Sequence, residues 1–510
     1  MGFRLPFQVR VTLAMQGLLL ASWMGLLPPA YGGPSAESAT RPLTNGVSPV
    51  GSGPQALKQA VHVTVETNAP AAGAATSGAA PKEKSFNWKA SWEGWDGLHL
   101  ELTRKTLLGQ FLPGVTNIEQ ENLRQFAGGL PVGTNTYRLH LEEGKMTAQI
   151  GAKFALDGAA YVTGQQFQGF DAGVELRRAR VYAKGDCLLV LPVSYEVEIG
   201  YIPNQFYIEN SYVAFRNIPW IGELKVGQYQ APMSLDMVTS SRDLTFMEPA
   251  APLQALAPGN AAGVEVGRPV LDQRATWRFG LFTDGVGKDY GDASREAARV
   301  IMRFAGLPIY QADPDRPGEA RLLHLGLSAD VLYSGNSSVS YRSRPESHLA
   351  PYVVDTGSIA ADGALVLGAE AAWVNGPFSL QGEYLHSSVR ENDGQVPSFN
   401  GCYGSVSWFL TGESRPYDRT EGMFGRVIPR RNFDFGHGGW GAWEIAARYS
   451  YVNLDSAEIH GGRLSMLMAG VNWYLHPHVK WRFDYGFGHV SGHSPEGNIN
   501  IFQTRMEVDF

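Results

Sequence analysis

Four arginines on two neighbouring segments are the side chains of this sequence best suited to bind a ligand. Arg274 and Arg278 share the polar face of segment 274–281, and Arg299 and Arg303 share the polar face of segment 299–304. Guanidinium groups make planar, multi-donor contacts that suit phosphate or carboxylate. The pattern therefore favours binding of a small anion, with solvated or ion-paired wall residues as the alternative for each arginine.

Motifs for covalent or metal chemistry do not accompany these arginines. The sequence has no Gly-x-Ser-x-Gly elbow, no His-Glu-x-x-His, no phosphate-binding Gly-rich loop before a helix and no clustered Cys/His spacing. The closest histidine pair, His476 and His478, flanks Pro477 and is typical of a polar turn. We therefore expect no enzymatic activity, no cofactor and no metal site. With a formal net charge of -7, no nucleic-acid partner is expected either.

The arginines belong to segments in which apolar and polar residues alternate. At the C-terminus the two faces are Phe502, Met506, Val508 and Phe510 against Gln503, Arg505, Glu507 and Asp509. The pattern recurs in residues 147–157, 443–451 and 479–487, and it suits a wall between lipid and water. The chain length then predicts an all-β transmembrane antiparallel barrel of about 16 strands, with 18 as the alternative, that encloses an aqueous channel. An interfacial aromatic girdle is expected at Trp443, Tyr451, Trp473 and Trp481.

The N-terminal part of the chain predicts export. Residues 1–32 have the features of a signal peptide. Arg4 and Arg10 supply positive charge, the apolar run 11–27 follows, and small residues surround the expected cleavage site near Ala30. Residues 33–85 are rich in Ala, Pro, Gly and Ser and predict a disordered periplasmic linker. No later stretch approaches the roughly 20 apolar residues of a spanning helix, so a membrane domain over 86–510 would have to be a barrel.

Several longer motifs resemble one family. They are residues 174–185 (VELRRARVYAKG), 224–236 (LKVGQYQAPMSLD), 239–241, 245–248, 441–450 (GAWEIAARYS) and 470–475 (GVNWYL). In this order they are similar to the phosphate-selective porin O and P family over most of residues 140–510. The resemblance implies an outer-membrane barrel of 16 strands, usually a homotrimer, with a long loop folded into the lumen. It also implies basic side chains along the route of an anion such as phosphate.

The resemblance adds three site residues to the four arginines. Arg177 and Arg178 correspond to the family's paired arginines and are expected at the pore wall, where both can face inward only if the strand bulges or has reached the rim. Lys225 shares a face with Tyr229 and is expected to point into the lumen. Segment 232–263 has the length and composition of the constricting loop.

The sequence departs from the family pattern in this loop. Pro249 follows Glu248 where arginine is common, and residues 259–262 are uncharged where a basic residue is expected. A low-dielectric pore focuses the field of each charge, so these losses would weaken anion capture.

The expected function is passive diffusion of small solutes, anions such as phosphate above all, across the outer membrane. A general or sugar-type porin without phosphate selectivity is the main alternative, in which Tyr229 and Tyr384 would form an aromatic slide. A structural or enzymatic outer-membrane barrel is the third interpretation.

Overall fold

The computed structural model describes residues 89–92, 98–101, 115–127, 130–141, 146–188, 191–202, 205–283, 298–312, 320–333, 338–436 and 438–510, with the backbone alone up to residue 141. The predicted signal peptide (1–32) and linker (33–85) lie outside the described residues and stay predictions.

The described elements are strands, apart from two short helices. The first part of the chain contains β1 (Lys89–Trp92), β2 (Leu98–Glu101), β3 (Val115–Ala127), β4 (Leu130–Leu141), β5 (Met146–Thr163), β6 (Gly173–Leu188), β7 (Pro192–Ile202), β8 (Gln205–Ile218), β9 (Gly222–Gln230), α1 (Leu235–Val238), α2 (Ala251–Leu256), β10 (Asn260–Val270), β11 (Ala275–Thr283), β12 (Ala298–Gln311) and β13 (Arg321–Tyr333). The second part contains β14 (Ser338–Val339), β15 (Arg342–Ser343), β16 (Val354–Asp355), β17 (Ile359–Asn375), β18 (Phe378–Glu391), β19 (Ser398–Phe409), β20 (Tyr417–Asp418), β21 (Met423–Phe424), β22 (Ala442–Ser456), β23 (Ile459–His476), β24 (Val479–Ser491) and β25 (Gly497–Asp509). No helix among these elements has the length and apolarity of a membrane span.

Sixteen antiparallel strands form one closed barrel, which confirms the predicted fold. They are β5 to β13, β17 to β19 and β22 to β25, each paired with the next. The barrel closes where β25 pairs with β5, for example Phe502 opposite Ala160 and Arg505 opposite Asp157. Closure satisfies the backbone groups of both edge strands, which is the condition for a sheet that spans lipid.

The alternation predicted for the strands is present and sets the two faces of the wall. On β25, Phe502 points outward and is 54% exposed, whereas Arg505 points inward and is fully buried. On β22 the inward side chains Glu444, Arg448 and Ser450 are likewise buried. The outer face is therefore apolar and the inner face is charged, as the period of two requires.

The two ends of the barrel differ in their connections. We call the end where β25 finishes the turn rim, because residues 219–221, 271–274, 376–377 and 477–478 form short turns there. The opposite end is the loop rim. Among the described residues, three longer segments have side chains or backbone inside the barrel: the constriction loop (231–259) and the brace loop (338–358) from the loop rim, and the turn-rim insert (410–441) from the other end.

Candidate functional site

The constriction loop lies inside the barrel, as predicted, and polar side chains of β24 hold its backbone. Lys480 donates to the carbonyl oxygen of Leu244 at 2.9 Å. Arg482 donates to the carbonyls of Phe246 at 2.9 Å and Ser241 at 3.1 Å. Asp484 accepts from the Met247 amide at 3.1 Å. The alternation in residues 479–487 places Lys480 and Arg482 on the polar face of the strand, and the structure shows that both anchor the loop.

Glu248, at the centre of the loop, is clamped between two strands. It accepts from the guanidinium of Arg177 on β6 at 3.0 Å and from that of Arg505 on β25. Burial favours its neutral form, but Arg177 and Arg505 outweigh burial and hold the pKa of Glu248 well below its ordinary value. Glu248 therefore joins opposite sides of the barrel closure as an ionised group.

Arg177 and Arg178 both face inward because β6 bulges between them. The register pairs Arg178 with Ala155 and Leu176 with Leu156, so Arg177 is the extra residue of the bulge. Arg178 reaches Glu507 at 3.2 Å on the other side of the closure. Strict alternation would allow only one of the two side chains to face the lumen. The bulge at Arg177 shifts the alternation, so both side chains face inward.

A second carboxylate, from the brace loop, fixes the constriction loop from the far side. Glu346 is fully buried and accepts from the amide of Ala251, at the start of α2, at 2.8 Å. Its other oxygen receives the guanidinium of Arg448 on β22. The brace loop, α2 and the wall therefore form one connected network, in which buried charges are paired.

The space left beside the loop is a cavity of about 820 Å³ with a basic lining. Its wall carries ten lysine and arginine side chains against seven aspartate and glutamate side chains. Among the predicted residues, Arg177, Arg178, Lys225, Arg278 and Arg303 line it. The local excess of positive charge contrasts with the net charge of the whole chain, which is -7.

Two lysines in this wall form no salt bridge in the described part of the chain, although Lys184 is the register partner of Glu196 and Lys225 that of Glu265. The ammonium group of Lys225 lies 4.4 Å from the ring centre of Tyr212 and 4.6 Å from that of Tyr229. The ammonium group of Lys184 lies 5.5 Å from the ring centre of Tyr182. Aromatic faces stabilise these cations without neutralising them. Both lysines can therefore offer their charge to a passing solute.

Comparison with known proteins assigns this architecture. Residues 148–510 match the family described as phosphate-selective porin O and P. The chain belongs to this porin family. It is an outer-membrane diffusion channel, and its turn rim is the periplasmic rim, since bacterial barrels carry their short turns there.

Two curated relatives and two solved structures illustrate the similarity. Porin O of Pseudomonas aeruginosa is 24% identical over 355 residues, which cover 62% of this chain and 78% of that protein. An uncharacterised protein of Caulobacter vibrioides is 27% identical over 394 residues, which cover 75% of this chain and 76% of that protein. An anion-selective porin from Comamonas acidovorans aligns with a TM-score of 0.45 at 12% identity, over 72% of this chain and 100% of that one. The trimer form of OmpT of Vibrio cholerae aligns with a TM-score of 0.44 at 11% identity, over 72% and 99%.

The structure divides the four-arginine cluster of the porin. Arg278 and Arg303 are register partners on β11 and β12, as the two polar faces indicated. Arg299 lies near the start of β12, closer to the loop rim, and forms an ion pair with Asp330 at 2.8 Å. Arg274 lies in the turn before β11, is exposed, and does not line the cavity. The placement of Arg274 on the strand's polar face was wrong because β11 begins at Ala275.

Arg278 and Arg303 form ion pairs with carboxylates that the sequence pattern did not predict as their partners. Arg278 contacts Glu265 at 2.6 Å and Glu421 at 2.5 Å. Arg303 contacts Glu370 at 2.7 Å and is almost fully buried. These partners come from β10, β17 and the turn-rim insert. The cluster is therefore largely neutralised, unlike the two lysines.

Sequence reasoning missed several cations of the cavity as site residues. Arg180 and Lys184 follow Arg178 on the same face of β6, so alternation alone could have identified them. Arg242 lies in the constriction loop and pairs with Asp509 at 2.9 Å. Arg344 comes from the brace loop, and only the folded loop brings it to the cavity.

The two tyrosines proposed for a sugar slide lie on different faces. Tyr384 points outward and is 48% exposed, whereas its neighbour Glu383 is buried in the lumen. Tyr229 points inward but is only 4% exposed, because its ring packs edge-on against Tyr212 and Phe282. Neither ring presents an open face to the channel, as stacking against a sugar would require.

Proposed function

We propose that this porin conducts small anions, phosphate among them, and that Lys184 and Lys225 are the cations that most strongly attract them. The observation that supports this is that neither lysine forms a salt bridge among the described residues, in a wall where most cations are paired. A paired guanidinium presents a dipole to a solute, whereas an unpaired ammonium presents a full charge.

The proposed route follows the lumen face of β6. Arg178, Arg180 and Lys184 lie in a row from the constriction loop toward the periplasmic rim, and Lys225 faces the same cavity from β9. Arg180 shares its charge with Glu209 at 2.9 Å. Cations of graded strength replace part of an anion's hydration at each step, and several weak sites allow it to leave again.

The test is the zero-current potential of the purified porin in a planar bilayer under a KCl gradient. We expect the sign set by chloride permeation, and we expect added phosphate to reduce the chloride current. The double variant K184Q/K225Q should move the potential toward that of an unselective pore, because the lumen charges together create the potential of several kT that selects ions.

A matched control removes one cation outside the cavity. Arg390 lies next to the β18–β19 turn at the loop rim, is 65% exposed, and is 3.9 Å from Asp362. R390Q should leave the zero-current potential unchanged. A wild-type pore without anion preference, or a K184Q/K225Q variant as selective as wild type, would overturn the proposal.

We further propose a homotrimer, as membership of this porin family suggests. The outer face of the barrel is apolar, with exposed side chains such as Leu327 and Leu367, and so suits a neighbouring subunit as well as lipid. Light scattering in detergent should give about three chain masses, and a single chain mass at working concentrations would contradict the trimer.

A further inference from the structure

The turn-rim insert carries an acidic group into the basic cavity. Glu421 lines this cavity, and its side chain is 37% exposed there. Its carboxylate lies 2.5 Å from the guanidinium of Arg278. This contact spans 143 positions in the sequence and joins a periplasmic connection to the pore wall.

The neighbouring residue allows the insert to approach the wall this closely. The carbonyl oxygen of Gly422 accepts from Arg303 at 2.8 Å. Gly422 has a φ of +68°, and a Cβ at this position would lie 2.7 Å from the hydroxyl of Thr276. Only glycine combines this conformation with this contact. The insert therefore contacts both arginines of the register pair.

Contacts within the insert hold Glu421 in place from behind. The carboxylate of Asp418 accepts from the amides of Thr420 at 2.8 Å and Glu421 at 3.2 Å. The carbonyl of Asp418 accepts from the amide of Gly422 at 2.8 Å. Farther along, the Arg415 guanidinium lies 3.6 Å from the ring centre of Phe424. Hydrogen bonds to Asp418 therefore hold the backbone of the turn that carries Glu421.

Glu421 is ionised beside these cations. Burial favours its neutral form, but Arg278 and then Lys225 outweigh burial, so the pKa of Glu421 lies below its ordinary value. The carboxylate thus lies in the field of Lys225, which forms no salt bridge among the described residues, as well as in contact with Arg278. Both cations line the cavity in which a permeating anion would bind.

We infer that Glu421 is a tethered carboxylate that occupies an anion position beside Arg278 and competes with permeating anions for it. The turn-rim insert is then a specificity-determining element, because it lowers the affinity of the pore for multivalent anions and keeps release toward the periplasm fast. This inference rests on the proposed anion conduction and adds a residue that sets its strength.

The test compares E421Q with wild type for block of the chloride current by inorganic phosphate. Removing one negative charge raises the lumen potential by about one kT or more, so the half-blocking phosphate concentration should fall about threefold or more. The zero-current potential should become more anion-selective. E458Q, which makes the same change on the exposed turn between β22 and β23, should change neither quantity.

A conservative variant separates competition from simple anchoring. E421D keeps the charge but withdraws the carboxylate, so its half-blocking concentration should lie between those of wild type and E421Q. If Glu421 only anchors the insert, E421Q should raise conductance and leave phosphate block unchanged or weaker, and that result would overturn the inference. E421D carries the same test if E421Q does not fold: a half-blocking concentration equal to that of wild type would also overturn it.

The two proposals fail in different ways. A wild-type pore without anion preference would refute the proposed function before any variant is measured. An anion-selective wild type whose phosphate block does not respond to E421Q or E421D would leave the function intact and refute the role of Glu421.

Discussion

Replacing Arg482 by methionine should loosen the constriction loop without opening the barrel. Arg482 is fully buried and donates to the carbonyls of Phe246 and Ser241 at 2.9 and 3.1 Å. Hydrogen bonds from a charged donor contribute about 1.5–3 kcal/mol each, so these two account for about 3–6 kcal/mol. At about 1.4 kcal/mol per factor of ten, local opening of residues 241–246 becomes about 10²- to 10⁴-fold more frequent.

The barrel itself should tolerate R482M. Methionine is long and apolar enough to occupy much of the space of the buried side chain. Glu507, the ion-pair partner of Arg482, keeps Arg178 at 3.2 Å and is not left as an unpaired buried charge. Lys480 still holds the Leu244 carbonyl at 2.9 Å. The expected defect is therefore confined to one stretch of the loop.

Two assays measure this opening. Hydrogen exchange of the purified porin should speed up in peptides that cover residues 241–247, and single-channel recordings should show added current noise. R463M is a suitable control, because Arg463 is half exposed near the loop rim and pairs with Asp455. The reasoning would be refuted by exchange and noise in R482M that match wild type, or by loss of the folded barrel.

Two further predictions concern stability. E248Q should lower the unfolding free energy by about 3–5 kcal/mol, because it removes the shared partner of Arg177 and Arg505. Since the pKa of Glu248 lies below its ordinary value of 4.5, the difference from wild type should be full above that pH and shrink as pH falls below it; a difference that grew in acid would contradict the ionised clamp. W473A should lower the unfolding free energy by about 1–3 kcal/mol, measured by urea unfolding in lipid. The reason is that the ring centre of Trp473 lies 5.0 Å from those of Trp443 and Phe433. W408A removes an outward tryptophan without a ring contact among the described residues and should cost less; equal losses would show that the ring contacts of Trp473 add no stability.

Much of the fold followed from local pattern. The alternation on β25 placed Arg505 and Glu507 on the inner face and Phe502 on the outer face, and the structure has them there. The inward loop after β9 was also foreseen, as was the alignment of the two polar faces that carry Arg278 and Arg303. Each of these features depends on periodicity along one strand or on the order of neighbouring strands.

The ion-pair partner of each lumen cation could not be predicted from the alternation of residues along the strands. Arg505 meets Asp157 across 348 positions of sequence, and Arg278 meets Glu421 across 143. Arg274 shares the period of its neighbours, yet it lies outside the strand in a turn. A period of two says which way a side chain points, but it does not say what stands opposite.

The sequence by itself determined an exported, membrane-spanning barrel with a charged interior, because alternate residues of a strand point to opposite faces of the sheet. Only the tertiary structure decided which interior charges are neutralised. Ion pairing depends on distances of a few ångströms between strands, and on loops that return to the lumen from both rims. Those distances pair Arg278 with Glu421 and leave Lys184 and Lys225 against aromatic rings.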